Sequence, residues 1–414
     1  MSIQKVVIFT LGTRGDIQPY LYLARALKSA GFVPTIATHP CWKSLADHAG
    51  VGFSPIGPDI DISCEAAAIR EKSAHWLIGA MKTMKFVFKI IEGATDEIYR
   101  LCKSADLVIA SHSHIGAIEA QACHKPMISV TLQPEMIPQP LKPRTEAQRL
   151  SEKLIGAAVN PMMIGPYNKI RKKYGLGPVK AIDEIMSPYL NLIPVSTCVV
   201  PKNPYWEKTN QVVGYWYEEN EAFEPAPELL QFLESGSKPV IVALGAMAFE
   251  SREEKSKLDL LIHAFQQTGM KAVIQGFDET LKSYKLPESV MRAGSIPHSW
   301  LFRRGYCVIH HGGFGTSASA MLAGKPSIVI PHVLDQFLWA NRIYELHAGM
   351  KPIKANDLNE KLLIETIELL KANYDQMMDE IQRLSRKMKE ENGLKAAVTL
   401  IQQVCHQLDS ESAG

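Results

Sequence analysis

Short β-branched runs alternate with stretches of helical period, and this chain passes through that alternation twice. Residues 5–11 form the first run, which ends in a glycine-containing turn. Residues 19–30 then carry Leu21, Leu23, Ala24 and Leu27 at helical spacing, with Gly31 as the stop. Residues 33–38, 107–110 and 127–132 read as further strands, and 115–122 as a helix between the last two. Buried parallel strands are short apolar runs of this kind, so the first half is predicted to be doubly wound α/β. The pattern restarts with strands at 240–244, 271–275, 306–310 and 327–330, and helices at 258–268 and 315–323.

The boundaries follow from composition. Residues 1–203 form the predicted first domain. A linker is expected over 204–238, where Pro204, Pro225 and Pro227 fall among Glu218, Glu219, Glu221 and Glu224. The second domain is placed at 239–390, and 391–414 is expected to be a helix packing back on the first. A length of 414 residues fits two domains.

Charge and hydropathy exclude other classes. There are 45 Lys and Arg against 43 Asp and Glu, without a basic stripe, so a nucleic-acid partner is not expected. The longest apolar run, residues 240–249, is too short for the ~20 residues of a bilayer span. No secretory signal is recognised at the N-terminus. Seven scattered cysteines without a C-x-x-C point to reduced thiols and a cytoplasmic protein.

Two glycine loops carry the chemistry. The first strand ends in Gly12-Thr-Arg-Gly-Asp16, which lacks the third glycine and distal acid of a dinucleotide fingerprint. It leaves the carboxylate of Asp16 just past a strand's carboxyl end, either as a helix cap or at a ligand site. The second loop, His310-His311-Gly312-Gly313-Phe314-Gly315-Thr316, follows a strand and opens a helix. That is the pattern of a phosphate cradle, where backbone N–H groups and the helix dipole meet an anion. Gly324-Lys325 is followed by Pro326, so it is no P-loop. Asp335 and Gln336, after the next strand, suit hydroxyl recognition. Ser111-His112-Ser113-His114 offers two imidazoles, each of which could serve a proton relay or a helix cap. Asp59-Ile60-Asp61 reads as turn chemistry, and no metal site is predicted.

In order and spacing, Thr10 to Pro19, Ser295 to Phe302, His310 to Thr316, Ala323 to Pro326 and Asp335 to Trp339 resemble family 1 glycosyltransferases. The type is that of the sterol glucosyltransferases and glycopeptide-antibiotic glycosyltransferases. Phe314 stands where that family usually has Ala, and Ala246-Met247 where Gly-Ser is common. The resemblance implies the GT-B fold, two Rossmann-like doubly wound domains facing across a cleft. It implies an inverting, metal-independent transfer from a UDP-sugar, with UDP-glucose favoured, and no cofactor. Asp16 would be the general base, with His112 or His114 beside it. His311 and the N–H groups of Gly313, Gly315 and Thr316 would hold the diphosphate. Gly245 would lie near the donor phosphates, Ile296, His298 and Leu301 near the base, and Asp335 and Gln336 on the sugar, with Gly12 and Thr13 also counted among the donor-binding residues.

The acceptor is less legible. Residues 75–99 combine Met and Phe with Lys82, Lys85 and Lys89, which suits an apolar pocket wall, a peripheral membrane contact or a plain core helix. The Pro- and Met-rich stretch 136–163 is a candidate cover. A polyketide, flavonoid, sterol or lipid-like acceptor with one hydroxyl is expected. The rival readings are a nucleotide-sugar epimerase of the same fold and a non-catalytic protein that binds nucleotide sugars or activates a partner.

Overall fold

The computed structural model describes residues 3–60, 65, 68–69, 76–132, 145–146, 164–219, 223–244, 251–282 and 284–413. It divides into two units. The first takes in Met1–Tyr217 and Glu391–Gly414, the second Glu218–Glu390.

The first unit begins with β1 (Lys5–Phe9), α1 (Arg14–Ser29), β2 (Val33–Thr38), α2 (Lys43–Ala49) and β3 (Gly52–Pro55). It continues with α3 (Trp76–Ser104), β4 (Leu107–Ala110), α4 (Ala117–Ala122), β5 (Met127–Val130), β6 (Asn191–Ile193) and β7 (Asn210–Val212). Every strand pairing is parallel and the order is β3-β2-β1-β4-β5-β6-β7. Strand order reverses between β1 and β4, which pair in the register Phe9↔Ala110. Ligands of open α/β sheets bind outside the carboxyl ends of strands at such a switch point. The loops carrying Asp16 and His112 leave the sheet there side by side.

Both strands are buried, as parallel strands covered on two faces must be. The long helix α3 turns Ile90, Ile91, Ala94, Ile98 and Cys102 inward at helical spacing, against Val7, Phe9, Val108 and Ile118.

Two expectations are corrected. Helix α1 starts at Arg14, five residues before the predicted start, and runs through Pro19. The added turn is stabilised by Thr13 and Asp16, a polar cap outside the apolar period used to predict the helix. Residues 204–238 are no simple linker, since they supply β7 and a helix of the second unit. β7 is held by a buried amide ladder: Asn191 Nδ2 donates to Asn210 Oδ1 at 2.7 Å, and Thr131 Oγ1 to Asn191 Oδ1 at 3.0 Å. Such polar residues read as loop in sequence, and only their partners across the sheet make them strand.

The second unit contains α5 (Pro227–Glu234), β8 (Val240–Ala243), α6 (Ser251–Gln267), β9 (Ala272–Gln275), β10 (Val290–Ala293), β11 (Val308–His310), α7 (Phe314–Leu322), β12 (Ser327–Val329) and α8 (Leu334–Glu345). Short helices at Asp278–Lys282 and His298–Leu301 precede β10 and β11 respectively. α9 (Glu360–Ala372) and α10 (Tyr374–Glu390) complete the unit. Its parallel sheet has the order β10-β9-β8-β11-β12, with the switch point between β8 and β11. The last helix, α11 (Gly393–Ala413), belongs to the first unit and packs on α1, with Ala397 and Ile401 fully buried. Asp61, Gly245, Ala246, Met247 and, apart from Thr145 and Glu146, the stretch 136–163 lie outside the described residues.

Candidate active site

At the switch point of the first unit, Gly12 adopts φ +139°, and a methyl group there would fall 2.3 Å from Asp16 Oδ2. The loop folds onto the carboxylate because residue 12 has no side chain. Asp16 Oδ2 accepts from Thr13 N at 2.8 Å and Thr13 Oγ1 at 2.9 Å, the reciprocal cap of a helix N-terminus. The loop is tied from outside as well, since Trp42 Nε1 donates to the Gly12 carbonyl at 3.2 Å. Oδ2 is thus engaged by the cap, while Oδ1 lies 3.6 Å from His112 Nε2. Both side chains keep about three tenths of their surface exposed, so a ligand can reach them. Burial holds the His112 imidazole below its ordinary value, and the Asp16 charge opposes that shift.

His114 does not share this position. It sits at φ +53° in the turn before α4, its ring edge against Tyr167 at 6.2 Å between centroids. Burial, with His112 close by, pushes its pKa down to about 4. Of the two candidate imidazoles, the structure brings His112 to Asp16.

The phosphate loop of the second unit leaves β11 at the second switch point. Gly312 has φ +87°, and a Cβ there would meet the Gln336 carbonyl at 2.8 Å. At Gly313 it would lie 2.4 Å from His311 Nε2, so the imidazole rests directly on this glycine. Helix α7 begins at Phe314. The N–H groups of Phe314, Gly315 and Thr316 are those that a helix leaves without intrahelical acceptors. The dipole at this helix start favours a negative charge, and His311 lies over the glycine that precedes it. Burial lowers the His311 pKa to about 4, and the Ala243 carbonyl opposes this. His310 is fully buried, and its Nδ1 accepts from Gly312 N at 3.1 Å, so it supports the loop's shape. Phe314, the departure from the family pattern, packs edge-on against Trp339 at 5.5 Å.

Two expected donor contacts take other roles, and a third is engaged through one of its atoms. Leu301 is fully buried and Ile296 nearly so, both in an apolar cluster with Ile241, Val273 and Phe302. They floor the loop, while Gln275 Nε2 holds its backbone at the Gly294 and Ile296 carbonyls (3.1 and 2.9 Å). Gln336 Oε1 caps α8 by accepting from His332 N at 2.7 Å and Val333 N at 3.3 Å. Its amide nitrogen is the part left for a ligand. Asp335 is half-buried in the first turn of α8, and His298 stacks on Phe302 at 4.4 Å. Gly245 lies outside the described residues. Among the described residues, no three His, Cys, Asp or Glu side chains converge as metal ligands.

Residues 6–128 match the glycosyltransferase family 28 N-terminal domain, and 270–405 the C-terminal domain of the erythromycin biosynthesis protein CIII-like family. In both halves the chain is similar to the family 1 glycosyltransferases. A sterol 3-beta-glucosyltransferase of Arabidopsis thaliana is 28% identical to this chain over 95% of its length, and one of Candida albicans is 28% identical over 96%. The chain spans 67% and 27% of those proteins' lengths. The O-mycaminosyltylonolide 6-deoxyallosyltransferase of Streptomyces fradiae is 25% identical, covering 96% of this chain and 97% of its own. Among solved structures, glycosyltransferase VinC in complex with dTDP aligns with TM-score 0.71 at 18% identity, over 98% of this chain and 100% of its own. The kitacinnamycin glycotransferase gives 0.71 at 17%, over 97% and 98%. The fold is therefore GT-B.

Sequence reasoning missed Tyr20, Trp42 and Gln275. Tyr20 had a signal: it stands one helical turn after Asp16 and so shares its face. Trp42 and Gln275 had none, because their partners are backbone carbonyls brought near only by folding.

Proposed function

We propose that this chain moves glucose from UDP-glucose to a hydroxyl of an apolar small molecule, with inversion and without a metal. The pairing of Asp16 with His112 at the switch point of the first unit carries this reading. The acceptor hydroxyl loses its proton to Asp16 Oδ1, and its oxygen forms the new bond to the anomeric carbon as the bond to the diphosphate breaks. The negative charge developing on the departing UDP is stabilised by the start of α7 and by His311. Asp335 and the Gln336 amide hold sugar hydroxyls. A sterol, polyketide or other lipid-like acceptor agrees with the sterol and tylonolide glycosyltransferases to which the chain is similar. We place the reaction in the cytoplasm; among the described residues no helix is long and apolar enough to cross a membrane.

Asp16→Asn tests the assignment. It is expected to lower kcat by at least ~100-fold while UDP binding is retained, measured as acceptor-dependent UDP release in the presence of EDTA. Near-normal turnover of this variant overturns Asp16 as base. Release that requires added metal overturns the mechanism. Binding without release across a broad acceptor panel supports a nucleotide-sugar-binding protein instead. A panel with TDP-glucose decides the base of the donor.

A further inference from the structure

Two groups are candidates for the proton-accepting role, Asp16 and His112, and a fully buried tyrosine beside them bears on the choice. Tyr20 follows Asp16 by one turn of α1, so both side chains leave the same helix face. Its ring is fully buried and meets Trp216 edge-on at 5.9 Å, which fixes the position of the hydroxyl. That hydroxyl accepts from the backbone N of His112 at 3.3 Å and lies 3.5 Å from His112 Nδ1. The backbone N–H can only donate, so of these two contacts Nδ1 is the one that can accept the proton of the buried hydroxyl.

We propose that Tyr20 is a positioning residue that locks His112 in the tautomer carrying its proton on Nε2. A neutral imidazole has one N–H, so a donor at Nδ1 places the proton at the other nitrogen. Nε2 is the atom facing Asp16 Oδ1 at 3.6 Å. His112 then presents N–H to the carboxylate, and Asp16 becomes the sole proton acceptor of the pair. This inference rests on the proposed transferase reading but makes a claim about His112 that holds independently of turnover.

The titratable groups facing His112 are Asp16 and Tyr20 from α1 and His114 from its own loop. A hydroxyl donating to Nδ1 opposes protonation of the ring. Removing it allows imidazolium to persist to higher pH beside Asp16, and an ion-paired carboxylate is a weaker base.

The test is Tyr20→Phe, which keeps the ring against Trp216 and deletes the hydroxyl. Nitrogen NMR of the wild-type protein, with His112→Gln to assign the signal, is expected to show protonated Nε2 and bare Nδ1. In Tyr20→Phe the two tautomers should mix. kcat should fall on the order of ten- to a hundredfold, the acid limb of its pH profile should move to higher pH, and the UDP-glucose Kd should stay unchanged. Wild-type His112 protonated on Nδ1 overturns the inference without any variant. A variant with unchanged tautomer and pH profile also overturns it. If the tautomer responds as expected while Asp16→Asn retains turnover, the positioning role stands and the base assignment fails, so the two claims are separable. A fall in kcat without movement of the pH limb or the tautomer indicates a structural role only and counts against the proposal.

Discussion

A methyl group on Gly313 would strike the imidazole of His311, and one on Gly12 would strike the carboxylate of Asp16. In both loops a glycine stands where a functional side chain folds back over its own backbone. Glu119 illustrates a different kind of buried polar residue. It is 2% exposed, accepts the hydroxyl of Thr95, and burial raises its pKa above the ordinary 4.5. A carboxyl with a raised folded value favours the fold when protonated, so its contribution is greatest at low pH and declines as pH rises through that value. Glu119→Gln keeps an acceptor for Thr95 and removes the charge. Its melting temperature should exceed the wild type's above neutral pH, by about 2–4 °C per kcal/mol recovered, and the difference should vanish near pH 4. An equal difference at every pH would show that charge is not the cause.

At the scale of the element, α1 couples stability to chemistry. The same Asp16 carboxylate that caps its first turn also faces His112. Thr13→Ala removes one hydrogen bond from that carboxylate and the side chain of the cap residue. The expected cost is about 1 kcal/mol of stability, read as a lower melting temperature, together with a reduced kcat, and Thr13→Ser should restore both. A variant that melts lower with full kcat would mean that the cap serves the helix alone. Helix α7 starts differently, on Gly313 and without a side-chain cap.

For the whole molecule, the two units present groups of opposite sign, the Asp16 carboxylate on one and the positive end of the α7 dipole on the other. This predicts the pH dependence of donor binding. His311 is neutral in the free protein down to about pH 4, and a bound diphosphate raises its pKa. UDP-glucose affinity should therefore be flat at higher pH and strengthen as pH falls toward about 4, measured by calorimetry with a donor whose phosphates do not titrate there. Affinity that weakens on acidification would exclude His311 from the diphosphate. The sequence alone determined the class of the fold and both glycine loops. Strand period, helix period and turn residues act over a few neighbours, and the loops are contiguous in the chain. Tertiary structure alone decided which histidine meets Asp16, that Ile296 and Leu301 face the core, and that polar β7 joins the first sheet. It also set the hydroxyl of Tyr20 against His112. Those outcomes depend on side chains from separate strands and helices reaching one place, and that information resides in packing rather than in any local window of residues.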